Sequence, residues 1–354
     1  MEILLEEFYK TDINLEKFHD RKLFLDDKSY QIIGATQTGK SKLVKSYLLT
    51  LKKSSYLYVN CNDIRIDIEL LNKLLNKFCH AKKIDVLVLD NYIEKIKFAN
   101  VSQLIITSQI NYNFNDLTTM QLFPLDYEEF LAYEHKYDSS ALNHFFQLGG
   151  LPAVHKVQTE DRNIFLQKTL KYTLSDIEFD ILIFCAKTVS QKISAFTIYE
   201  RLKQTRKISK DKLYSSFELL LKKNYIHQLS KYNYPKATKK IYLFDIAIKS
   251  ALVIEKNFSK LFENMVFLEL LKSSTECYYE DGIDFYIPSR DEIILCKPFA
   301  DERSLFQKLE SIEAFIFTYS IKKVTAVTMN KEGNISHPLS KVELVPFDIW
   351  ALGD

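Results

Sequence analysis

Apolar residues between positions 29 and 125 fall into blocks of two kinds. Short and nearly continuous apolar runs occupy 30–33, 55–59, 84–90 and 103–108. Stretches with apolar residues at helical spacing follow the first two runs, over 42–49 and 68–79. Continuous runs are typical of strands buried on both faces, as in a parallel sheet covered by helices. This part of the chain therefore predicts an α/β core.

The residues before the first run predict a lead-in to that core. Leu4, Leu5 and Phe8, and then Leu15 and Phe18, fall at roughly helical spacing. We expect the segment 1–28 to pack beside the sheet, so that 1–125 forms one domain.

A phosphate-binding motif lies at the junction of the first apolar run and the helix after it. The pattern G-x-x-x-x-G-K-[ST] is matched by Gly34, Ala35, Thr36, Gln37, Thr38, Gly39, Lys40 and Ser41. Gly34 and Gly39 are expected to adopt backbone angles that a side chain would forbid. The main-chain N–H groups and the helix N-terminus would then hold phosphates. Lys40 would reach the β- and γ-phosphates, and Ser41 would ligate Mg²⁺.

Polar residues end the next two strands of the predicted core. Asp90 closes the run 84–90, and Thr107 and Ser108 close the run 103–108. Ligands of parallel sheets bind beyond the carboxyl ends of the strands, where these side chains would meet Lys40. Asp90 is therefore expected to hold Mg²⁺ with Ser41. Thr107 or Ser108 would contact the γ-phosphate or the attacking water, or would only cap a turn.

The chain becomes predominantly helical after residue 125. Apolar spacing predicts helices over 126–136, 139–148 and 162–172, with Asp126 and Ser139 as N-caps. Gly149-Gly150, followed by Pro152, predicts a helix end. The segment 126–172 fits either a helical lid over the nucleotide or a helical linker.

Residues 173–255 predict three helices and a hairpin. The helices are expected over 177–186, 194–203 and 210–223, and the strands over 225–229 and 240–244. This order is typical of a winged helix-turn-helix.

The charge of the same region favours a contact with phosphates. Between Glu200 and Lys240 there are 12 Lys and Arg against 3 Asp and Glu, although the whole chain has a net charge of only +2. Protein docking and a Lys-rich soluble surface are the alternatives. The candidate nucleic-acid contacts are Lys207, Lys210 and Lys212 before and on the third helix, and Lys236, Lys239 and Lys240 on the wing.

The last hundred residues predict a small α/β domain. A helix is expected over 258–271, and strands over 278–279, 283–287, 292–297, 314–318 and 323–328. We therefore place the last domain at 256–354.

Composition restricts the class of protein. Apolar residues make up 47% of 354 residues and charged residues 27%, which is typical of globular chains. The five cysteines are scattered, which argues against a disulfide framework or a zinc ribbon. No basic, apolar leader and no run of about 20 apolar residues is present. The sequence thus predicts a cytoplasmic protein without a membrane segment.

Several motifs occur together in an order that resembles a known family. These are the phosphate loop, 86–90, 104–108, the run Leu-Phe-Pro-Leu-Asp-Tyr-Glu-Glu-Phe-Leu over 122–131 and Gly-Gly-Leu-Pro over 149–152. The chain resembles prokaryotic AAA-type P-loop ATPases, the archaeal-type ATPases, which continue into a winged helix and a restriction-endonuclease-like fold. The resemblance implies ATP and Mg²⁺ as ligands and a lid at 126–172.

Two departures from that family concern hydrolysis. Family members carry Asp-Glu at the end of the second strand motif, where this chain has Asp90-Asn91. An amide orients a water but accepts no proton from it. The arginine that the family carries before 122–131 is also missing from 113–118. We expect ATP binding, with hydrolysis that is slow or stimulated by a partner, or no hydrolysis at all.

The nuclease-like region departs from an active pattern as well. An active version carries a helix Glu, a strand Asp and a Glu-x-Lys on the next strand, which hold Mg²⁺. Glu263, Asp284 and Lys297 fit three of these places, but Leu295 stands at the fourth and cannot ligate a hard cation. The region is expected to have the fold without cleaving DNA. A Mg²⁺-dependent nuclease with a regulatory ATP site, and an ATP-bound switch without turnover, are the alternative functions.

Overall fold

The computed structural model describes residues 1–15, 21–255, 257–300 and 302–353. The chain divides into two compact units, Met1–Pro124 with Lys222–Asn224, and Leu125–Leu221 with Tyr225–Asp354. Phe18 of the predicted lead-in lies outside the described residues.

The first unit is built on a five-stranded parallel sheet. Its elements are α1 (Glu2–Lys10), β1 (Tyr30–Ile33), α2 (Lys40–Leu48), β2 (Tyr56–Asn60), α3 (Ile68–Lys82), β3 (Val86–Asp90), β4 (Gln103–Ser108) and β5 (Thr118–Gln121). The strand order is β2-β3-β4-β1-β5, and every neighbouring pair is parallel. The predicted α/β core is confirmed, with β5 as a strand that the apolar pattern did not predict.

Apolar side chains project from both faces of this sheet, which explains why the apolar runs in the sequence are continuous. Leu87 and Leu89 of β3 belong to a cluster that includes Leu5 of α1 and Leu71 of α3. The alternate residues Val86 and Val88 belong to a second cluster, which also holds Leu43, Val44 and Leu48 of α2. Because successive side chains of a strand point to opposite faces, helices cover both sides of β3.

The second unit begins with helices and a small antiparallel sheet. Its elements up to residue 252 are α4 (Tyr127–Glu134), α5 (Ala141–Leu148), α6 (Arg162–Thr173), α7 (Asp176–Lys187), β6 (Gln191–Lys192), α8 (Ala195–Leu202), α9 (Lys210–Lys222), β7 (Ile226–Leu229), β8 (Lys240–Leu243) and α10 (Ala247–Leu252). The three strands have the order β6-β8-β7. The helices and the hairpin predicted over 173–255 are present, and the identification as a winged helix stays a prediction.

Two sequence signatures have local structural reasons in this unit. Asp126 begins α4 with a capping box, because its carboxylate accepts the Glu129 N–H at 2.8 Å while the Glu129 carboxylate accepts the Asp126 N–H. Gly149 ends α5 with a φ of 68°, and a Cβ there would lie 2.2 Å from Asp245 Oδ1. The Gly150 N–H donates to the same buried carboxylate at 2.7 Å.

The remainder of the second unit is a six-stranded mixed sheet with helices. Its elements are α11 (Phe258–Lys272), β9 (Tyr278–Glu280), β10 (Ile283–Ile287), β11 (Glu292–Cys296), α12 (Glu302–Thr318), β12 (Lys323–Thr328), β13 (Gly333–Ile335), β14 (Lys341–Pro346) and α13 (Phe347–Leu352). The strand order is β13-β14-β12-β11-β10-β9. The strand predicted at 314–318 is wrong, since these residues form the last turns of α12.

None of the helices in the described ranges is long and apolar enough to cross a membrane.

Candidate functional site

The loop between β1 and α2 has the backbone of a tight turn. Gln37 and Gly39 have left-handed φ angles of 63° and 98°. Gly34 is required for a different reason from the predicted one: a Cβ there would lie 2.3 Å from the Leu122 carbonyl oxygen. Gly39 therefore supplies the backbone angle, and Gly34 supplies the close approach of two chain segments.

The main-chain N–H groups of this loop are available to a ligand. Within the part of the chain that the structure describes, the N–H groups of 35–41 make no hydrogen bond of normal geometry to a protein acceptor. Gly34 differs, because its N–H donates to the Ser108 carbonyl at 3.2 Å. Successive N–H groups of this kind at the N-terminus of a helix can form an anion-binding cradle, and a phosphate chain is a ligand that such a cradle could hold.

Lys40 lies inside this cradle. Its side chain is only 7% exposed, and Nζ donates to the carbonyls of Gly34 at 2.9 Å and Ala35 at 2.7 Å. Burial lowers the pKa of Lys40 to about 8, and the opposite charge of Asp90 acts against this shift. A buried ammonium that donates to carbonyls of its own loop can exchange these bonds for phosphate oxygens.

Asp90, at the end of β3, is held by hydroxyl groups from three directions. Oδ1 accepts from Ser41 Oγ at 2.9 Å and from Thr107 Oγ1 at 2.5 Å, and Oδ2 accepts from Tyr58 OH at 2.6 Å. Burial and the neighbouring Asp90 raise the pKa of Tyr58, which keeps its hydroxyl a donor. A carboxylate and a hydroxyl in contact are oxygen donors of the kind that Mg²⁺ prefers, so Ser41 and Asp90 fit the ion.

Asn91 follows Asp90 with a left-handed φ of 57°. Its N–H donates to Thr107 Oγ1 at 2.9 Å, and its side-chain amide donates to Asp90 Oδ2 and to Asn60 Oδ1, both at 3.3 Å. The amide is thus positioned beside the carboxylate but offers no group that takes a proton.

Thr107, rather than Ser108, makes the contact with Asp90. The Ser108 hydroxyl accepts the N–H of Ile110 at 3.0 Å, as expected for a turn cap. The observed contact of the Ser108 hydroxyl is therefore this bond within a turn. Its role beside an attacking water stays a prediction.

Arg21 and Tyr58 are two residues of this site that sequence reasoning missed. Arg21 donates from Nη1 to the Thr38 carbonyl at 2.9 Å and from Nη2 to the Phe123 carbonyl at 2.8 Å. It therefore ties the phosphate loop to the segment after β5. Arg21 stands thirteen positions before Gly34 and lies in no periodic pattern.

The candidate nucleic-acid lysines divide into exposed and buried groups. Lys207, Lys210 and Lys212 are exposed, before and on the first turn of α9, and Lys236 is exposed while Lys239 is half-buried. Lys240 is only 7% exposed, and its Nζ donates to Glu263 Oε1 at 2.7 Å. Lys240 is therefore corrected from a phosphate contact to an interior ion pair.

The residues that the sequence predicts for a nuclease-like site do not fit a divalent cation. Glu263 is paired with lysines on both of its oxygens, and Asp284 Oδ2 accepts the Cys296 N–H at 2.8 Å. Leu295 is fully buried and offers no ligand. Lys297, which directly follows β11, is half-buried. Across the described residues, no group of three or more His, Cys, Asp and Glu side chains could hold a metal.

Comparison with known proteins gives distant similarities. No family model matches the chain. The uncharacterized protein MJ1544 of Methanocaldococcus jannaschii is 21% identical over 404 aligned positions, covering 93% of this chain and 89% of that protein. The Aeropyrum pernix ORC1 protein in complex with DNA is a solved structure that is 12% identical, covers 64% of this chain and 86% of its own, and has a TM-score of 0.31. A TM-score this low does not establish a shared fold, so the site rests on the geometry of this chain.

Proposed function

We propose that this chain is an ATP-binding protein of the AAA type that holds ATP and Mg²⁺ at the loop between β1 and α2. Hydrolysis would be slow or stimulated by a partner, and the nucleotide state would control a contact between the region 173–255 and DNA or a protein. The observation that carries the proposal is the run of N–H groups over 35–41 that make no hydrogen bond of normal geometry to the described residues, around the buried ammonium of Lys40.

The roles of the site residues follow from their positions. The N–H groups of 35–41 would surround the β- and γ-phosphates, and Lys40 would move from two carbonyls to the phosphate oxygens. Ser41 and Asp90 would hold Mg²⁺, which neutralises phosphate charge when it is bound. Thr107 and Tyr58 orient the Asp90 carboxylate through their hydroxyl groups.

The same geometry supports weak rather than rapid hydrolysis. Asn91 stands where the resembled family has a glutamate, and its amide donates to Asp90 and Asn60. Arg21 is engaged with two backbone carbonyls of the loop region, so its observed contacts position the loop. A partner that supplies a base or a cation would then increase turnover.

The lowered pKa of Lys40 makes ATP affinity depend on pH. Well below pH 8 the ammonium is protonated in the free protein, so affinity should be nearly constant there. Above that pH the free protein loses the proton and binding must take it up again. The affinity should then fall by up to about tenfold per pH unit. Titration with a fluorescent ATP analogue between pH 7.5 and 9.5 measures this, since the last phosphate pKa of about 6 lies outside the range.

Lys40→Arg is the matched control for this pH dependence. A guanidinium stays protonated throughout the range, so the variant should show a flat profile at whatever affinity it retains. A wild-type affinity that does not change up to pH 9.5 would contradict the role of the Lys40 ammonium.

The exposed lysines near α9 favour DNA as the partner of the second unit. Lys210 Nζ lies 5.6 Å from the ring centroids of both Phe196 and Tyr214, and Lys207 and Lys212 are exposed nearby in sequence. Changing Lys207 and Lys212 together to Gln should weaken double-stranded DNA binding for any sequence. It should also reduce the slope of log K against log salt by roughly 2, because two phosphate contacts are lost.

The control changes two exposed lysines of the first unit, Lys73→Gln and Lys77→Gln on α3. Fluorescence anisotropy with labelled duplexes at several salt concentrations compares the two double variants. An equal loss of DNA affinity in both double variants would indicate nonspecific electrostatic attraction. Unchanged DNA affinity in the Lys207 and Lys212 variant would favour a protein as the partner of the surface around these two lysines.

A further inference from the structure

Lys240 is a buried cation at the start of β8. Its Nζ donates to Glu263 Oε1 at 2.7 Å and lies 3.7 Å from Asp284 Oδ1. It also lies 5.6 Å from the centroid of the Tyr279 ring, within the range of a cation–π contact. One ammonium therefore stands against two carboxylates that come from α11 and β10.

The remaining oxygens of the two carboxylates are also engaged. Glu263 Oε1 accepts from Tyr242 OH at 2.9 Å, and Glu263 Oε2 accepts from Lys260 Nζ at 2.8 Å. Asp284 Oδ2 accepts the Cys296 N–H at 2.8 Å. Lys240 and Lys260 thus balance the two carboxylates, Lys308 adds a further positive charge that interacts with Asp284, and each carboxylate oxygen has a donor or a cation beside it.

This balance keeps the ammonium charged in the interior. Burial tends to lower the pKa of Lys240, but the charges of Glu263 and Asp284 and the hydrogen bond to Glu263 outweigh it, and the pKa is raised. The geometry differs from that of a Mg²⁺ site, which requires about six oxygen ligands at about 2.0–2.1 Å. Leu295 adds a buried apolar wall in place of a ligand.

The turn before β8 is held against the same sheet. The Tyr279 N–H donates to the Ser230 carbonyl and the Tyr232 N–H donates to the Tyr279 carbonyl, both at 3.0 Å. The ring of Tyr232 meets that of Tyr286 edge-on at 4.7 Å. The segment that would form the wing is therefore joined to the C-terminal sheet by backbone bonds, aromatic packing and the ion pair of Lys240.

We infer that Lys240 Nζ occupies the position between Glu263 and Asp284 where a divalent cation would otherwise bind. The ammonium thereby prevents this carboxylate pair from binding Mg²⁺ or Mn²⁺, and the ion pair anchors β8. The C-terminal region then serves as a structural support for the region 173–255 instead of a nuclease. The inference does not depend on the proposed nucleotide function, because no residue of the phosphate loop takes part in it.

Direct Mn²⁺ binding to the nucleotide-free full-length protein gives the first test. Free Mn²⁺ is measured by electron paramagnetic resonance in titrations of the wild type and of Asp284→Asn. Equal numbers of bound ions are expected, since Asp284 already faces an ammonium. A lower number for Asp284→Asn would mean that the pair binds the metal, which overturns the inference.

Removal of the ammonium gives the second test. Lys240→Met should lower the thermal midpoint in EDTA by about 5 °C or more, because the buried Glu263 carboxylate loses one of its two lysine partners and Asp284 loses a neighbouring cation. Millimolar Mn²⁺ should raise the thermal midpoint of Lys240→Met again by part of the amount lost. It should not raise the midpoint of the double variant Lys240→Met with Glu263→Gln, and it should leave the midpoint of the wild type unchanged. An unchanged midpoint for Lys240→Met in EDTA, or no restoration by Mn²⁺, would overturn the assignment. If Lys240→Met does not fold, the titration of the wild type still decides.

Discussion

Lys40→Ala is expected to weaken binding of a fluorescent ATP analogue by about a hundredfold. Charge-assisted hydrogen bonds contribute about 1.5–3 kcal/mol each, and the buried Lys40 ammonium would donate more than one of them to phosphate oxygens. A loss of about 2.7 kcal/mol corresponds to a factor of about one hundred in the dissociation constant. The measurement is an anisotropy titration at pH 7.5, where most of the Lys40 side chains are protonated.

Two controls separate a local effect from loss of the fold. Lys77→Ala removes an exposed lysine of α3 in the same unit and should bind like the wild type. The thermal midpoint of Lys40→Ala shows whether the loss of its two bonds to Gly34 and Ala35 disturbs the loop. Wild-type affinity in a folded Lys40→Ala protein would remove the basis for a phosphate site.

The parts of the first unit that were predictable from sequence are those with strong local signals. The runs that became β1 to β4 are apolar on both faces, and the motif at 34–41 has a fixed spacing. β5 has no such signal, because Thr118 and Thr119 are exposed and the strand contains a single apolar residue, Met120. Strand β5 exists because its backbone pairs with β1, a contact that local periodicity does not encode.

The strand predicted at 314–318 shows the opposite error. Phe315, Ile316 and Phe317 have high β propensity, and a window of five residues favours a strand. Over a longer window, Leu305, Leu309, Ile312 and Ile316 repeat at helical spacing, and all four are buried on one side of α12. The helical spacing of apolar residues over the seventeen residues of α12 therefore outweighs the β propensity of a five-residue window.

Contacts between distant residues account for what sequence reasoning missed in the sites. Arg21 donates to the backbone carbonyls of Thr38 and Phe123. Every residue has such a carbonyl, so the residue types at these positions do not indicate the contact. Lys240 was counted as part of a basic surface because local charge counting does not reveal Glu263, its partner 23 positions away on α11. A net charge over a window locates a basic region, but burial decides which of its lysines a phosphate can reach.

Asn91→Glu is expected to increase ATP turnover by about ten- to a hundredfold. Asn91 lies beside Asp90, where a carboxylate could accept the proton of an attacking water, and general-base help is typically worth 10²–10⁴. A gain at or below the lower limit of that range is expected, because the left-handed φ of 57° disfavours Glu by about 1 kcal/mol. Phosphate release at saturating ATP and Mg²⁺, with and without double-stranded DNA, measures the change.

Asn91→Gln is the matched control, since it has the length of Glu and the same backbone cost but accepts no proton. It should hydrolyse ATP no faster than the wild type, and Asp90→Ala combined with Asn91→Glu should lose the gain because the carboxylate at the end of β3 is removed. If Asn91→Glu and Asn91→Gln release phosphate at the same rate, proton transfer does not limit turnover. The missing arginine of 113–118, or nucleotide release, would then be the limiting factor, and an ATP-bound switch would describe the protein better than a slow ATPase.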